Sequence, residues 1–247
     1  MKIFYMDLHV HTVLSPCAEL DMGAPDIVGK CIEERIDIIA ITDHNAVENA
    51  MAVKKAAEGL PLEVIYGVEV QSFEDVHVLC YFSEWERAKE FRDWIWNYLP
   101  PIDNVPEKFG VQLIIDEKNG IIGEVPRFLL QGINKTADEV IATARYYDGV
   151  CVLAHVDRDA FSYVSVLGFV PEDLEIGAVE VSRHISRSEA LSWKQKVGGR
   201  PIIRSSDAHK LDDLKREYAT PVLIEKPTLE EIIMAFHGVG GRKILWP

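Results

Sequence analysis

Short apolar runs alternate along this chain with amphipathic stretches of helical period. Seven of the runs are rich in Val and Ile and have the length of buried strands. They are Ile3–His9, Asp37–Thr42, Glu63–Glu69, Val76–Phe82, Val150–His155, Ala178–Ser182 and Pro201–Ser206. Strands that alternate with helices usually build a parallel sheet in which the helices are the crossovers. The pattern therefore predicts an α/β protein, most simply a closed or nearly closed parallel (β/α) barrel.

The predicted helices lie between and after these strands. They are Pro25–Arg35, Val47–Gly59, Ser83–Tyr98, Thr136–Tyr147, Ser186–Gly198 and Thr228–Gly238. Ser83 and Thr228 are each followed three residues later by a glutamate, which is the pattern of a capping box at a helix start. Two more short strands, 220–225 and 242–246, are expected around the last helix.

One segment breaks this alternation. Residues 99–135 contain Pro100-Pro101 and then two apolar runs on either side of Asn119-Gly120, a pattern that predicts a β-hairpin with a tight turn. We take residues 84–135 as an insertion within a single domain of residues 1–247. Two interpretations stay open: a cap over the mouth of a site, or a structural elaboration with no contact to substrate.

The charge balance limits the classes of partner. The chain has 26 Lys and Arg against 40 Asp and Glu, a formal net charge of −14. Such a surface repels a phosphate backbone, so we expect no long nucleic acid as a partner. A small phosphorylated substrate stays compatible, because bound cations invert the local field.

The cysteines and the apolar segments indicate the compartment. Cys17, Cys31, Cys80 and Cys151 are far apart and form no CxxC pair, which argues against a zinc ribbon or a disulfide framework. No apolar stretch is long enough for a membrane span, and the first residues lack the pattern of a signal peptide. We therefore expect a cytoplasmic protein with no membrane partner.

Histidines concentrate near the ends of the predicted strands. Six of the eight lie there: His9, His11, His44, His77, His155 and His209. The carboxyl ends of parallel barrel strands open on one face, so these imidazoles are expected to converge. Asp7, His9 and His11 alternate along one strand and should share a face. An HxH pair alone is more often a hydrogen-bonded pair in the core.

Carboxylates accompany the histidines. Glu69 closes the third predicted strand, where a carboxylate can bridge two cations. Asp207 and His209 repeat the spacing of the HxH pair, although Asp207 could instead cap a helix.

This ordered set resembles a known family. DLHVHT, TDHN, Glu69 with His77, AHVDR and SDAH are similar to the motifs of the polymerase-and-histidinol-phosphatase (PHP) metal-dependent phosphoesterases, from Lys2 to about Lys210. The resemblance implies a distorted seven-stranded parallel (β/α) barrel. It also implies two or three divalent ions, which are zinc, manganese or iron in the family.

The resemblance further implies ligands that share Glu69. The first metal would be held by His9, His11, Glu69 and Asp207, the second by Glu69, His77 and His155, and the third by His44 and His209. The family usually has an Asp or His a few residues after the HxH pair, and here Cys17, Glu19 or Asp21 would have to take that place. A thiolate at Cys17 would favour zinc, although Cys17 can also be read as a small buried apolar residue.

The expected reaction is hydrolysis of a small phosphate monoester. Water bridging two cations has its pKa lowered to about 7, and the resulting hydroxide attacks phosphorus in line. Arg158 is the first candidate for binding the phosphate, and Arg183, together with His184, is the second. An arginine suits this role because its guanidinium can donate two parallel hydrogen bonds to a phosphate. Lys135 and Arg204 are weaker candidates.

Two roles around the imidazoles follow from the same hypothesis. Asp7 and Asp43 would orient the rings. Either His209 or water at the third metal would protonate the leaving group.

Other functions fit the same residues. One alternative keeps the site but acts on a short oligonucleotide as an exonuclease, or on a nucleoside bisphosphate. Another is a non-catalytic metal-binding module. Structural zinc sites are normally closed sets of Cys and His, whereas a mixed His and carboxylate set suits a site with open positions.

Overall fold

The computed structural model describes residues 1–247 and contains eleven strands. The strands are β1 Lys2–Val10, β2 Ile38–Ile41, β3 Glu63–Gln71, β4 His77–Phe82, β5 Leu113–Ile115, β6 Ile121–Glu124, β7 Val150–Leu153, β8 Ala178–Val181, β9 Ile202–Arg204, β10 Thr220–Ile224 and β11 Lys243–Ile244. Nine of them form one sheet in the order β11-β10-β1-β2-β3-β4-β7-β8-β9, and β5 pairs with β6 alone.

Eight α-helices connect and cover the strands. They are α1 Ala24–Glu34, α2 Glu48–Ala56, α3 Trp85–Tyr98, α4 Pro106–Phe109, α5 Ala137–Tyr146, α6 Tyr163–Leu167, α7 Arg187–Lys196 and α8 Leu229–Phe236. Thr228 caps α8 as predicted, since its side chain accepts the N–H of Glu231. The predicted cap at Ser83 is wrong: α3 begins after Glu84, and the Ser83 hydroxyl donates instead to Glu230 on α8. None of the helices combines the length and apolar composition that crossing a membrane requires.

The sheet is mixed, which corrects the prediction of seven parallel strands. β1, β2 and β3 are parallel, as are β7, β8 and β9, but β4 is antiparallel to both β3 and β7. The link from β3 to β4 is residues 72–76, too short for a crossover, so the pair must be a hairpin. β10 and β11 add an antiparallel edge beside β1.

The sheet closes nearly into a barrel, which confirms the predicted architecture. The Thr220 hydroxyl on β10 accepts the backbone N–H of Arg204 on β9 at 2.7 Å and donates to its carbonyl at 2.7 Å. Beyond β9, the carbonyl of Ala208 accepts the N–H of His11 at 3.0 Å. The two ends of the sheet therefore meet through side-chain and bridging hydrogen bonds.

Side chains divide between two packed faces. Alternate strand residues form an apolar cluster inside the barrel, with Met6, Leu79 and Tyr81 among its members, and α8 covers its lower end with Ile232 and Phe236. A larger cluster packs the outer face under the helices. The inward-facing set continues upward with Glu69, His77 and Glu180, because residues two apart on a strand share a face. These polar side chains thus lie directly above the apolar cluster inside the barrel.

The segment predicted as an insertion contains the predicted hairpin. Its turn is longer than Asn119-Gly120 alone suggests: Asp116 accepts the N–H groups of Lys118 and Gly120, and Asn119 has a left-handed φ of 66°. The N–H of Leu113 donates to Val13 at 3.1 Å. The hairpin therefore lies against the loop that joins β1 to α1.

Candidate metal centre

A β-bulge near the end of β1 sets the direction of its polar side chains. The register to β2 shifts between Asp7 and Val10. Met6 and Leu8 belong to the apolar cluster inside the barrel, so Asp7 between them faces away from it. Asp7 consequently accepts the backbone N–H groups of Ser206 at 3.0 Å and His9 at 3.4 Å. The expectation that Asp7 shares a face with His9 and orients an imidazole is wrong, because the carboxylate binds backbone instead.

Glu69 lies at the centre of five imidazole rings. Its side chain is buried on β3, and both carboxylate oxygens face ring nitrogens from four other parts of the chain. Glu69 Oε1 is 2.8 Å from His77 Nδ1, 3.3 Å from His9 Nε2 and 3.3 Å from His155 Nε2, and Glu69 Oε2 is 3.0 Å from His44 Nδ1 and 3.4 Å from His11 Nε2. The fold brings these predicted residues to one point.

Asp207 and His209 complete the same cluster from the loop after β9. Asp207 Oδ1 lies 3.3 Å from Nε2 of both His9 and His11. The His209 ring stacks on His11 with 4.2 Å between centroids. All eight residues expected to bind metal therefore lie within one cluster.

Ligand atoms fall into three overlapping groups whose members lie within 4.8 Å of one another. The groups are His9–His11–Glu69, His44–Glu69–His77 and His11–His44–His209. The first agrees with the set that the resemblance implies. The others differ in that His44 joins His77 and Glu69, while His11 joins His44 and His209. Cys17, Glu19 and Asp21 belong to none of the groups.

The electrostatics of the cluster suit cations. Burial raises the pKa of Glu69, but surrounding imidazoles, led by His77, hold it well below its ordinary value. Burial and the neighbouring His209 lower the pKa of His11 to about 4, and burial lowers that of His44 well below its usual value. His9 differs, because burial lowers its pKa but the carboxylates of Asp207, Glu180 and Glu69 hold it well above the ordinary value. A buried ionised carboxylate surrounded by imidazole rings is a donor set that divalent metals bind.

The contact between His9 and His11 is a direct test of whether cations fit. Their Nε2 atoms are 3.2 Å apart and both face carboxylate oxygens. At this distance no water molecule can lie between the two nitrogens. Two lone pairs at this distance repel unless a proton or a cation lies between them. The residues present therefore fit a metal ion.

Glu180 is a member of the site that sequence reasoning missed. Its Oε1 accepts His9 Nδ1–H at 3.0 Å and the backbone N–H of His155 at 3.2 Å. The first bond fixes the His9 tautomer so that Nε2 faces the cluster. A signal existed in the sequence, because Glu180 is a charged residue in the middle of the apolar run Ala178–Ser182.

Asp43 reaches an imidazole only through Ser15. Asp43 accepts the Ser15 hydroxyl at 2.7 Å, and the Ser15 oxygen lies 3.0 Å from His11 Nδ1. The serine proton points to Asp43, so His11 Nδ1 is the donor and His11 Nε2 faces the cluster. The expected orienting role is thus indirect, and Ser15 is a second residue that sequence reasoning missed.

The predicted phosphate-binding arginines occupy different surroundings. Arg158 Nη2 is 2.6 Å from Asp207 Oδ2 at the edge of the cluster and stays partly exposed. Arg183 instead donates to the Ser206 carbonyl at 2.8 Å and pairs with Asp213 at 3.1 Å.

The weaker candidates have other contacts. Lys135 pairs with Glu139, Arg204 donates to the Glu217 carbonyl, and His184 lines a separate polar pocket of about 380 Å³.

A near-closed α/β barrel with histidines and acids gathered above its apolar interior is the architecture of a metal-dependent hydrolase. The sequence profile of the PHP domain matches residues 7–166, and the chain belongs to the PHP family. A search of curated proteins found no match.

Solved structures with low sequence identity share the fold. The lesion-specific endonuclease PfuEndoQ from Pyrococcus furiosus has a TM-score of 0.71 and 20% identity, with 99% of this chain and 58% of that chain covered. A proposed metal-dependent phosphoesterase from Bifidobacterium adolescentis has a TM-score of 0.55 and 15% identity, with 83% and 87% covered. An amidohydrolase from Chromobacterium violaceum, solved with bound sulfate and no metal, has a TM-score of 0.56 and 15% identity, again with 83% and 87% covered. This chain therefore spans less than two thirds of the endonuclease.

Proposed function

We propose that this protein hydrolyses a small phosphate monoester with two or three divalent cations held at the Glu69 cluster. The observation that carries the proposal is the convergence of five imidazoles on one buried carboxylate. When bound, such cations lower the pKa of a coordinated water and neutralise phosphate oxygens. Zinc, manganese and iron all accept imidazole and carboxylate ligands.

The protein's own groups position the substrate and move the proton. Arg158 is partly exposed beside Asp207 and offers a bidentate fork to a phosphoryl group that enters the mouth. His209 would be a metal ligand only if a third cation binds. With two cations, its side chain, which is 30% exposed and more exposed than the other imidazoles of the cluster, is the one best placed to protonate a leaving oxygen. Glu180 and Ser15 hold the His9 and His11 tautomers. Arg183 also pairs with a carboxylate, but it is the weaker candidate for substrate binding, because its side chain is less exposed than that of Arg158 and it already donates to the Ser206 carbonyl.

A nucleic-acid substrate is the second candidate. Endonuclease Q has been solved with a 27-mer duplex that places an abasic lesion at the active site, and 59% of that chain is covered here with a TM-score of 0.71. The DNA complex of this structural neighbour therefore argues against our expectation that the protein has no long nucleic acid as a partner. The net charge of −14 still opposes a long duplex and favours a short strand or a nucleoside bisphosphate.

The proposal is tested with protein of known metal content. Hydrolysis of p-nitrophenyl phosphate is measured with added Mn²⁺ or Zn²⁺, beside cleavage of an end-labelled duplex and of a short single strand. His9→Ala, Glu69→Ala and Asp207→Asn should each abolish metal-dependent hydrolysis while the circular dichroism spectrum is retained. Full activity in Glu69→Ala would disprove the bridging role. Bound metal without turnover of any ester would identify a non-catalytic module.

The free thiols bear on the compartment. Cys80 and Cys151 face each other across β4 and β7 with their sulfur atoms 3.6 Å apart, yet they are not bonded. We propose a reducing, cytoplasmic location because the cysteine spacing lacks the pattern of a disulfide framework.

A further inference from the structure

The loop 156–162, between β7 and α6, crosses the open side of the metal centre. It leaves from His155, and its Arg158 reaches Asp207. Three residues later the ring of Phe161 stacks on His77, with 4.6 Å between centroids and 20° between planes. One short loop therefore touches two members of the cluster, Asp207 and His77, that come from distant parts of the chain.

Phe161 supplies an exposed aromatic surface at this cluster. The imidazoles around Glu69 are buried, whereas Phe161 is 41% exposed. One face of its ring covers His77, and its exposed part adjoins the solvent from which a substrate must enter. Packing in an apolar core therefore does not account for the position of the Phe161 side chain.

The backbone holds Phe161 in an unfavourable conformation. Its φ is 58°, in the left-handed region that bulky residues rarely adopt. The Phe161 carbonyl accepts the N–H of His77 at 2.9 Å, which ties the strained residue to the first residue of β4. Such strain persists where surrounding structure fixes it, and it concentrates at ligand-binding sites.

We infer that Phe161 is a specificity-determining residue that stacks on an aromatic ring in the leaving group of the phosphoester, a nucleobase being the ring that fits. The inference rests on the proposed function and narrows its substrate class. Arg158 and Phe161 lie three residues apart on the loop, so one would hold the phosphoryl group and the other the ring. Stacking uses the π-face that all nucleobases share. We therefore expect the protein to prefer substrates that carry a base over substrates that lack one, without preferring one base over another.

The test compares two esters that differ only in the base. Adenosine 5′-monophosphate and ribose 5-phosphate are assayed with Mn²⁺ using wild type, Phe161→Leu and Phe161→Trp. Leucine keeps an apolar cover over His77 but lacks a π-face, and should lower the nucleotide to sugar phosphate ratio of kcat/KM about 5- to 100-fold. Tryptophan should preserve the ratio. Tyr146→Leu, an exposed aromatic at the end of α5 that precedes β7, is the matched control and should change nothing.

The other outcomes overturn the inference. An equal loss on both esters would mean that Phe161 acts only through His77, and an unchanged ratio would mean that no ring is stacked. If wild type hydrolyses neither ester nor p-nitrophenyl phosphate, the proposed function fails separately. Calorimetric Kd values of the two compounds for metal-loaded wild type and Phe161→Leu then decide the matter, and equal ratios in the two proteins would refute stacking.

Discussion

Glu180 provides a sharp test of how the centre is held, because its two hydrogen bonds can be removed in steps. Its buried Oε1 accepts one bond from the ring of His9 and one from the backbone of His155. Glu180→Gln retains a carbonyl oxygen in the same place but removes the negative charge. Glu180→Ala removes both bonds at a buried position.

The expected magnitudes follow from that difference. Loss of a carboxylate partner from a metal-binding histidine lowers metal affinity about 10- to 100-fold. We expect the glutamine variant near the lower limit, about 1.4 kcal/mol, and the alanine variant near the upper one. Alanine also leaves two buried N–H groups without partners, which costs about 1–3 kcal/mol of unfolding free energy for each group.

Metal affinity is measured by competition with a chelating dye, and unfolding free energy by urea denaturation of the metal-free proteins. Glu58→Gln, at an exposed site after α2, makes the same change in net charge and is the control. Wild-type affinity in both Glu180 variants would refute the argument that this carboxylate fixes the His9 tautomer. A loss in the Glu58 variant as well would assign the effect to net charge.

Three further predictions concern the substrate, the cations and the barrel interior. Arg158→Met should lower kcat/KM for the phosphoester about 10- to 100-fold with metal content unchanged, since a charged hydrogen bond contributes about 1.5–3 kcal/mol. Loss of metal in this variant would instead mean that Arg158 positions Asp207 and does not bind the substrate. Removal of cations with a chelator should lower Tm by about 8–16 °C in calorimetry, because a ligand at a thousand times its Kd contributes about 4 kcal/mol and each kcal/mol shifts Tm by about 2–4 °C; an unchanged Tm would contradict ligation by buried groups. Tyr81→Phe removes the buried hydroxyl that donates to the Leu8 carbonyl at 2.8 Å, and should lower the free energy of unfolding by about 1 kcal/mol in urea while hydrolysis continues.

The sequence was sufficient to predict the barrel and the meeting of the histidines. Both follow from the alternation of strands and helices and from the position of polar residues at strand ends. His9, Glu69, His155 and Asp207 come from distant parts of the chain, yet each lies at or just beyond the end of an apolar run.

Features that depend on local geometry could not be predicted from the sequence. The bulge in β1 shifts the register, so simple alternation misplaced Asp7. Ser15 acts between Asp43 and His11 because a loop folds back, and no periodicity describes that path. In contrast, the direction of β4 and the role of Glu180 could have been predicted. The short link 72–76 and a charged residue inside an apolar run are both visible in the sequence.

The reversed direction of β4 has a consequence for how the centre assembles. Glu69 and His77 lie on two strands of one hairpin, where Gln71 is the register partner of His77. Their approach needs closure of only a short loop, and local contacts of this kind form quickly and at small entropic cost. His9 and Asp207, in contrast, meet only after nearly the whole chain has folded. Two of the eight residues expected to bind metal can therefore come together before the barrel closes, and metal added during refolding should accelerate that later closure.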